Sequence, residues 1–330
     1  MINMHLDNID RKLLSLVQLE FPLTREPYAD LGQRLDINEN QVLKHIERLK
    51  AKGIIRQIGP VFDARSLGYL TTLVAVRVPE SKLDKAEQVI IAHPGVSHGY
   101  QRDHYFNIWF TLAIPNTADI EIEIKKLTNS IEAEAIFTLP AKKVFKIGAY
   151  FDVDGDNQPT ESTPVQSSNT LYQKVELSQR DKSIINALQQ NLPPTPTPFT
   201  DISAQLSIEV EDFLAQCRSL QQRGIMRRFG ASVNHRLAGF KANAMACWLA
   251  SPDKVDILGQ KLASLQEVSH CYERKTNSLW PYNLFAMIHS QRKEVCQEIA
   301  SKVSRETGTA DYVLLFSTKE FKKTRVKYLV

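Results

Sequence analysis

The chain has 330 residues, 43% of them apolar and 24% charged, with a formal net charge of +4, which is the balance of a soluble protein long enough for two globular units. No apolar run approaches the roughly 20 residues of a membrane span, and the N-terminus MINMHLDNIDRK has no apolar leader core. Cys217, Cys247, Cys271 and Cys296 lack CxxC spacing, so neither a disulfide framework nor a zinc site is expected, and the setting expected is cytoplasmic, away from membranes.

Ile9, Leu13, Leu14 and Val17 keep helical spacing, and residues 28–35 make a short second helix. Asp36 to Asn38 is a turn in which Asn38 caps a third helix, residues 39–52, stopped by Gly53. This is a helix-turn-helix pattern, with a wing strand at 54–58. From residue 70 the period changes: strand 71–78, helix 81–92, a hairpin of strands 96–102 and 106–114, helix 117–130 and a last strand within 133–147. The order βαββαβ is that of a ferredoxin-like sandwich, an antiparallel sheet backed by two helices. Residues 152–176, acidic and rich in Pro, Ser, Thr and Asn, form a linker. The plan then repeats, with helices at 177–192, 200–206 and 209–223, a wing at 225–229 and a second βαββαβ from about residue 241. The fold class expected is therefore α+β, as a tandem repeat. Its parts are a winged helix-turn-helix at 1–62, a ferredoxin-like domain at 63–151, the linker at 152–176, a second winged helix-turn-helix at 177–234 and a second ferredoxin-like domain at 235–330.

Constant spacing supports the repeat. Asp10 and Asp181, Gly53 and Gly224, Arg56 and Arg227, Gly59 and Gly230, and Gly68 and Gly239 are each 171 positions apart by subtraction. The offset becomes 172 at His98 and His270, then 176 at Asn107 and Asn283 and at Phe145 and Phe321. The second copy thus gains four residues after Arg274, where Trp280 and Pro281 lie. Within the repeat, Val-Ser-His-x-Tyr-x-Arg occurs twice, at Val96–Arg102 and Val268–Arg274. On a strand its His, Tyr and Arg share one face. The two copies are expected to pack as an internal pseudo-dimer.

A winged helix followed by this sandwich resembles the leucine-responsive (Lrp/AsnC) family of regulators. Two features depart from a regulator: the hairpin carries Val-Ser-His-x-Tyr-x-Arg, and the second recognition helix opens with Glu209, Glu211 and Asp212, which oppose a phosphate backbone. The first opens with Glu39 but retains Lys44, Arg48 and Lys52. The joint pattern of Gly-Ile-x-Arg-x-x-Gly wings, the repeated Ser-His-x-Tyr-x-Arg strand, Asn107-x-Trp109-Phe110-Thr111 and Trp280-Pro281-Tyr282-Asn283 is similar to that of the siroheme decarboxylases, with two subunit types fused.

That resemblance implies conversion of siroheme to 12,18-didecarboxysiroheme by non-oxidative loss of acetate carboxyl groups, on a route to heme d1 or heme. It implies siroheme and its decarboxylated products as ligands, no DNA, no required cofactor because the iron arrives with the substrate, and a homodimer or other tetrapyrrole-pathway enzymes as partners. A ligand-responsive regulator and a heme-binding sensor without catalysis are the rival readings.

Physical chemistry selects the cations, walls and proton donors below, and the resemblance implies the further contacts. A flat polycarboxylate ring needs apolar walls and fixed cations, and Arg binds carboxylates through its planar fork. Arg56, Arg102, Arg227, Arg228 and Arg274 are the cations expected, with Trp109, Trp280 and Tyr282 as walls and His104, His235, Asn107 and Asn283 as further contacts. His98 and His270, beside Tyr100 and Tyr272, are the candidate proton donors. His289 is secondary, and His5, His45 and His93 are left outside the site. The second copy carries 21 Lys and Arg against 14 Asp and Glu, part of it in Lys319, Lys322, Lys323, Arg325 and Lys327. That run is either solvated surface or a basic rim around an anion.

Overall fold

The computed structural model describes residues 6–148 and 176–330; the expected linker, Glu176 apart, and His5 lie outside them. In the first copy α1 (Asn8–Leu19), α2 (Pro27–Leu35) and α3 (Glu39–Ala51) lead to β1 (Ile55–Phe62). Reciprocal side-chain caps start two of these helices, Asp7 with Asp10 and Asn38 with Gln41. Then come β2 (Tyr69–Arg77), α4 (Leu83–Ala92), β3 (Val96–Arg102), β4 (Ile108–Pro115), α5 (Ile120–Ile131) and β5 (Ala135–Ile147). The second copy repeats them as α6 (Gln179–Leu188), α7 (Pro198–Gln205), α8 (Val210–Gln222), β6 (Met226–Val233), β7 (Ala242–Trp248), α9 (Val255–Ser264), β8 (Val268–Arg274), β9 (Leu284–Ser290), α10 (Lys293–Thr307) and β10 (Tyr312–Lys323). Gly53 and Gly224, repeat partners, take φ of 69° and 71° after α3 and α8, a left-handed turn that favours glycine.

The two copies are joined at two levels. The wing strands, longer than expected, pair with each other, β1 antiparallel to β6, with Gly59 opposite Gly230. A Cβ on Gly230 would lie 2.8 Å from the Val17 carbonyl oxygen, so the ribbon can lie on α1 only with glycine there. The winged helices of both copies share one core, in which Phe21, Phe199 and Phe229 meet.

Below them, eight strands close into one barrel in the order β10-β3-β4-β2-β5-β8-β9-β7. Closure depends on two long strands that change partner midway. The first half of β5 pairs with β2 of its own copy and Ala141–Ile147 with β8 of the other. Likewise Tyr312–Phe316 of β10 pairs with β7 and Ser317–Lys323 with β3. This is the expected internal pseudo-dimer, with both sandwiches sharing one sheet. The helices cover the outside, making one apolar core per sandwich around Val76, Ile90 and Leu112 and around Trp248, Leu258 and Ile288. Among the described residues no helix is long and apolar enough to cross a membrane, and all four cysteines are buried and free.

Candidate active site

Inside a barrel alternate residues of every strand face inward, which decides what fills it. One end is closed by an aromatic plug of Phe106, Trp109, Phe137, Trp280 and Phe285. Trp280 lies at its centre, 5.0 Å from Trp109 and stacked on Phe137, both of the other copy. The rest of the interior opens toward the wing ribbon as a cavity of about 1630 Å³, walled by β3, β4, β8, β9, the wings and the C-terminal segment.

His98, Tyr100 and Arg102 from β3 and His270, Tyr272 and Arg274 from β8 all line this one cavity, as do Arg56, Arg227, Arg228 and Trp109. The two copies therefore contribute to a common chamber. The remaining expected contacts lie elsewhere. Trp280 is core, because the four extra residues fold its loop back over the barrel end, and Tyr282 packs on it at 5.3 Å. His104 sits edge-on to Trp280 at 5.3 Å. Asn107 and Asn283, repeat partners, each bond both polar groups of one backbone residue, Val78 and Ala250, and so stitch loops rather than face the chamber. His235 is buried immediately behind the wall.

Each chamber histidine is oriented by the serine before it: Ser97 Oγ lies 2.8 Å from His98 Nδ1, and Ser269 Oγ 2.9 Å from His270 Nδ1. With the hydroxyl donating, the ring proton stays on Nε2. Both rings keep some surface toward the cavity, yet burial, reinforced by neighbouring cations, disfavours their charged form. His98 is pushed down to about 3 by desolvation, then Lys323, His270 and Arg56. His270 is pushed down to about 4 by desolvation, then Lys323 and the three arginines Arg228, Arg274 and Arg227. These shifts leave both imidazoles neutral at pH 7.

The arginines are held but not used up. Arg102 donates to the Leu315 carbonyl oxygen at 2.9 Å and Arg274 to that of Leu139 at 2.8 Å, while the buried Nε of each lacks a protein partner. Arg274 lies over the Tyr272 ring at 4.6 Å and Arg102 over Tyr100 at 5.2 Å. Burial lowers the Arg102 pKa to about 10. Arg56 is ion-paired with Glu320 and Arg227 with Asp63.

Three groups were not singled out from the sequence. Ser97 and Ser269 stood inside the repeated motif. Lys323 stands in register opposite His98 and lines the chamber with Arg325 and Lys327, so this part of the basic run is a rim. Its signal was the repeat itself, since 323 minus 176 is Ile147, which stands opposite His270. Desolvation brings the Lys323 pKa down to about 8.

Two family models each match twice. The AsnC-like ligand binding domain covers residues 66–146 and 237–322, and the siroheme decarboxylase NirDL-like HTH domain covers 10–56 and 181–227. The siroheme decarboxylase of Hydrogenobacter thermophilus is 37% identical over 318 residues, 96% of this chain and 94% of that protein. The siroheme decarboxylase alpha subunit of Desulfovibrio desulfuricans is 42% identical over 152 residues, 46% of this chain and 87% of the subunit. The crystal structure of the siroheme decarboxylase NirDL in complex with an iron-uroporphyrin III analogue superposes with a TM-score of 0.71 at 34% identity, covering 98% of this chain and 95% of that one.

Proposed function

The chain belongs to the siroheme decarboxylase family, and from that premise we infer that it removes carbon dioxide from acetate side chains of siroheme, as a carboxy-lyase, to give 12,18-didecarboxysiroheme. The observation that carries the reading is the single chamber that sets His98 and His270 inside one ring of guanidinium groups.

The chemistry asks for three things. The departing carboxylate must lose its compensating cation as CO2 leaves, the carbon's electron pair must pass into the conjugated ring, and one proton must reach the methylene to make a methyl group. No net electron is gained or lost, and the substrate brings its own iron and electron sink, so no resident cofactor is required. Arg102 and Arg274, each with an unpartnered Nε, suit carboxylates that stay on the ring, and Trp109 and Phe285 offer apolar faces.

The proton falls to the histidines. Their neutrality comes foremost from burial and then from the surrounding cations, and a polyanionic ring counters the field of those cations, which raises both imidazole pKa values. Tyr100 and Tyr272 have their phenol pKa values raised, mainly by burial, and so remain hydrogen-bond donors rather than anions. One chain already supplies both halves of the chamber, so a homodimer, other pathway enzymes as partners and a cytoplasmic setting are compatible additions that the chemistry does not demand.

DNA reading has no place in this function. Arg48 of α3 is turned back onto Asp7 and Asp10 at 2.9 and 2.7 Å, and α8 opens with Glu211 and Asp212. Anaerobic incubation of the full chain with siroheme, followed by mass analysis of the tetrapyrrole, tests the proposal. Successive losses of CO2 are expected, and intact siroheme after prolonged incubation would overturn it.

A further inference from the structure

Behind His270 runs a line of buried polar groups that the chamber itself does not require. Ser269 Oγ lies 2.9 Å from His270 Nδ1 and also 2.9 Å from His289 Nε2. The His289 ring meets that of His235 edge-on, with centroids 5.0 Å apart. His235 Nδ1 in turn lies 3.4 Å from Lys323 Nζ, at the chamber rim. Ser269, His289 and His235 are all buried.

The repeat supplies a control for the alternative that this line merely fills the core. By the offsets of 176, 171 and 176, His289, His235 and Lys323 correspond to Ala113, Ala64 and Ile147. The first copy builds the same strands and the same turn after the wing with apolar residues at all three positions, and keeps only the serine and the chamber histidine. Two buried histidines and a largely covered lysine cost desolvation that alanine and isoleucine avoid, so the fold alone gives no reason for them.

We propose that Lys323, His235, His289 and Ser269 form a proton relay that recharges His270 after each decarboxylation, which makes the two chamber histidines unequal. The proposal rests on the decarboxylase reading, in which every CO2 lost consumes one proton. His270 gives its Nε2 proton to the methylene, forming the new C–H bond. The Ser269 hydroxyl passes its proton to His270 Nδ1, and His289 replaces it from Nε2. His235 reprotonates His289, from Nε2 of the one ring to Nδ1 of the other, when the two edge-on rings turn to bring these nitrogens into hydrogen-bond reach or a water bridges them. Lys323 supplies His235 Nδ1 and refills from water at the rim. Each step breaks one N–H or O–H bond and makes another, the net transfer is one proton from solvent to carbon, and the relay is reset when each imidazole returns to its starting tautomer before the next turnover.

Lys323 is suited to the entrance. Its neighbours are Glu320 at 3.8 Å, His98 in the strand register, His235, and the cations Arg56 and Arg236. Burial foremost brings its pKa to about 8, within reach of exchange with water at neutral pH.

These four are positioning and relay residues, and their test is a separation of kcat from KM in the full chain with anaerobic siroheme. His289→Ala, His235→Ala and Lys323→Ile each install the first copy's residue. Each should lower kcat at least roughly 10-fold; KM should stay within about 2-fold in the two histidine variants, whose chamber arginines are intact, whereas Lys323→Ile also removes a rim cation and is judged on kcat alone. Added imidazole should restore kcat in His289→Ala and in His235→Ala. His289→Gln, which can still hydrogen-bond Ser269 but cannot carry a proton through, should be as slow as His289→Ala, and it remains informative if the alanine variant fails to fold. Wild-type kcat in His289→Gln, a rise in KM alone, or slow alanine variants that imidazole leaves slow would each overturn the relay. An active wild type with unaltered variants refutes the relay only, whereas a wild type that leaves siroheme intact refutes the decarboxylase reading and the relay with it.

Discussion

Acidification should weaken the fold well above the pH at which carboxylates protonate. His98, His235, His270 and His289 all have folded-state pKa values below the usual 6.5, because burial outweighs every other influence; His235 and His98 are held at about 3, His270 at about 4. In the unfolded chain they titrate normally and so bind more protons than in the fold. Stability is therefore full above about pH 6.5 and falls as the pH drops through 6.5 toward the folded values. At pH 5.5 a ring that must stay neutral costs about 1.4 kcal/mol. The enclosed pair His235 and His289 then contributes about 3 kcal/mol, with a smaller share from His98 and His270, which keep surface toward cavity water. Thermal unfolding should show Tm lower by roughly 4–6 °C at pH 5.5 than at 7.5. Asp181, whose burial is outweighed only by Arg223 together with hydrogen bonds from Ser178 and Gln216, is held down to about 2 and loses its contribution only as pH falls below the ordinary carboxylate value near 4, outside this window. The double substitution His235→Ala with His289→Ala should remove most of the difference. An equal pH slope in that variant would show that the acid sensitivity arises elsewhere.

Other outcomes follow from the same geometry. His270→Ala should cut turnover of siroheme by roughly 100-fold or more with little change in affinity, and His98→Ala should be the next most damaging; steady-state kinetics decide, and full turnover without His270 would move the proton to His98. Arg274→Ala and Arg227→Ala should instead weaken siroheme binding, by roughly 10-fold each if a carboxylate loses a charge-assisted bond, as read from equilibrium titration. Gly230→Ala places a Cβ 2.8 Å from the Val17 carbonyl oxygen and should cost about 1–3 kcal/mol in chemical denaturation by prying the wing ribbon off α1. An electrophoretic shift with random duplex DNA at physiological salt should show no complex, and tight, salt-dependent binding would contradict the commitment of Arg48 to Asp7 and Asp10.

The repeat and the shared face of His, Tyr and Arg were legible because strand periodicity is 2 and the motif is written twice. Other features depend on partners that no local pattern announces. The wing strands extend to Phe62 and Val233 because each finds its hydrogen bonds on the other copy. The second halves of β5 and β10 likewise look like ordinary strand ends until paired with β8 and β3. Asn107 and Asn283 resemble ligand contacts in sequence, yet serve backbone groups at the end of the neighbouring strand of the sheet. Trp280 looks like a pocket wall, but the four-residue insertion has length enough to carry it into the plug, against Trp109 of the other copy. Lys323 was hidden in a basic run whose other members Lys319 and Lys322 do face outward, pairing with Glu87 and with backbone of the α4 end.

Two unlinked identical copies could build the barrel but not this chamber. Strand exchange at β5 and β10 is symmetric, so in a homodimer whatever stands opposite one motif histidine must stand opposite the other. Here the positions have diverged: Lys323 faces His98 where Ile147 faces His270, and Glu320 faces Tyr100 where Val144 faces Tyr272. Arg56 pairs with Glu320 and its counterpart Arg227 with Asp63, both across the copies but at positions that the repeat does not relate. The wings and the barrel stay pseudo-symmetric, since their backbone pairing fixes the shape of the cavity, while the charges around it do not. A tetrapyrrole in such a chamber meets two histidines of the same local geometry in different fields. Covalent fusion keeps each differing side chain opposite its intended partner, because a copy cannot pair with another like itself without leaving its tethered neighbour.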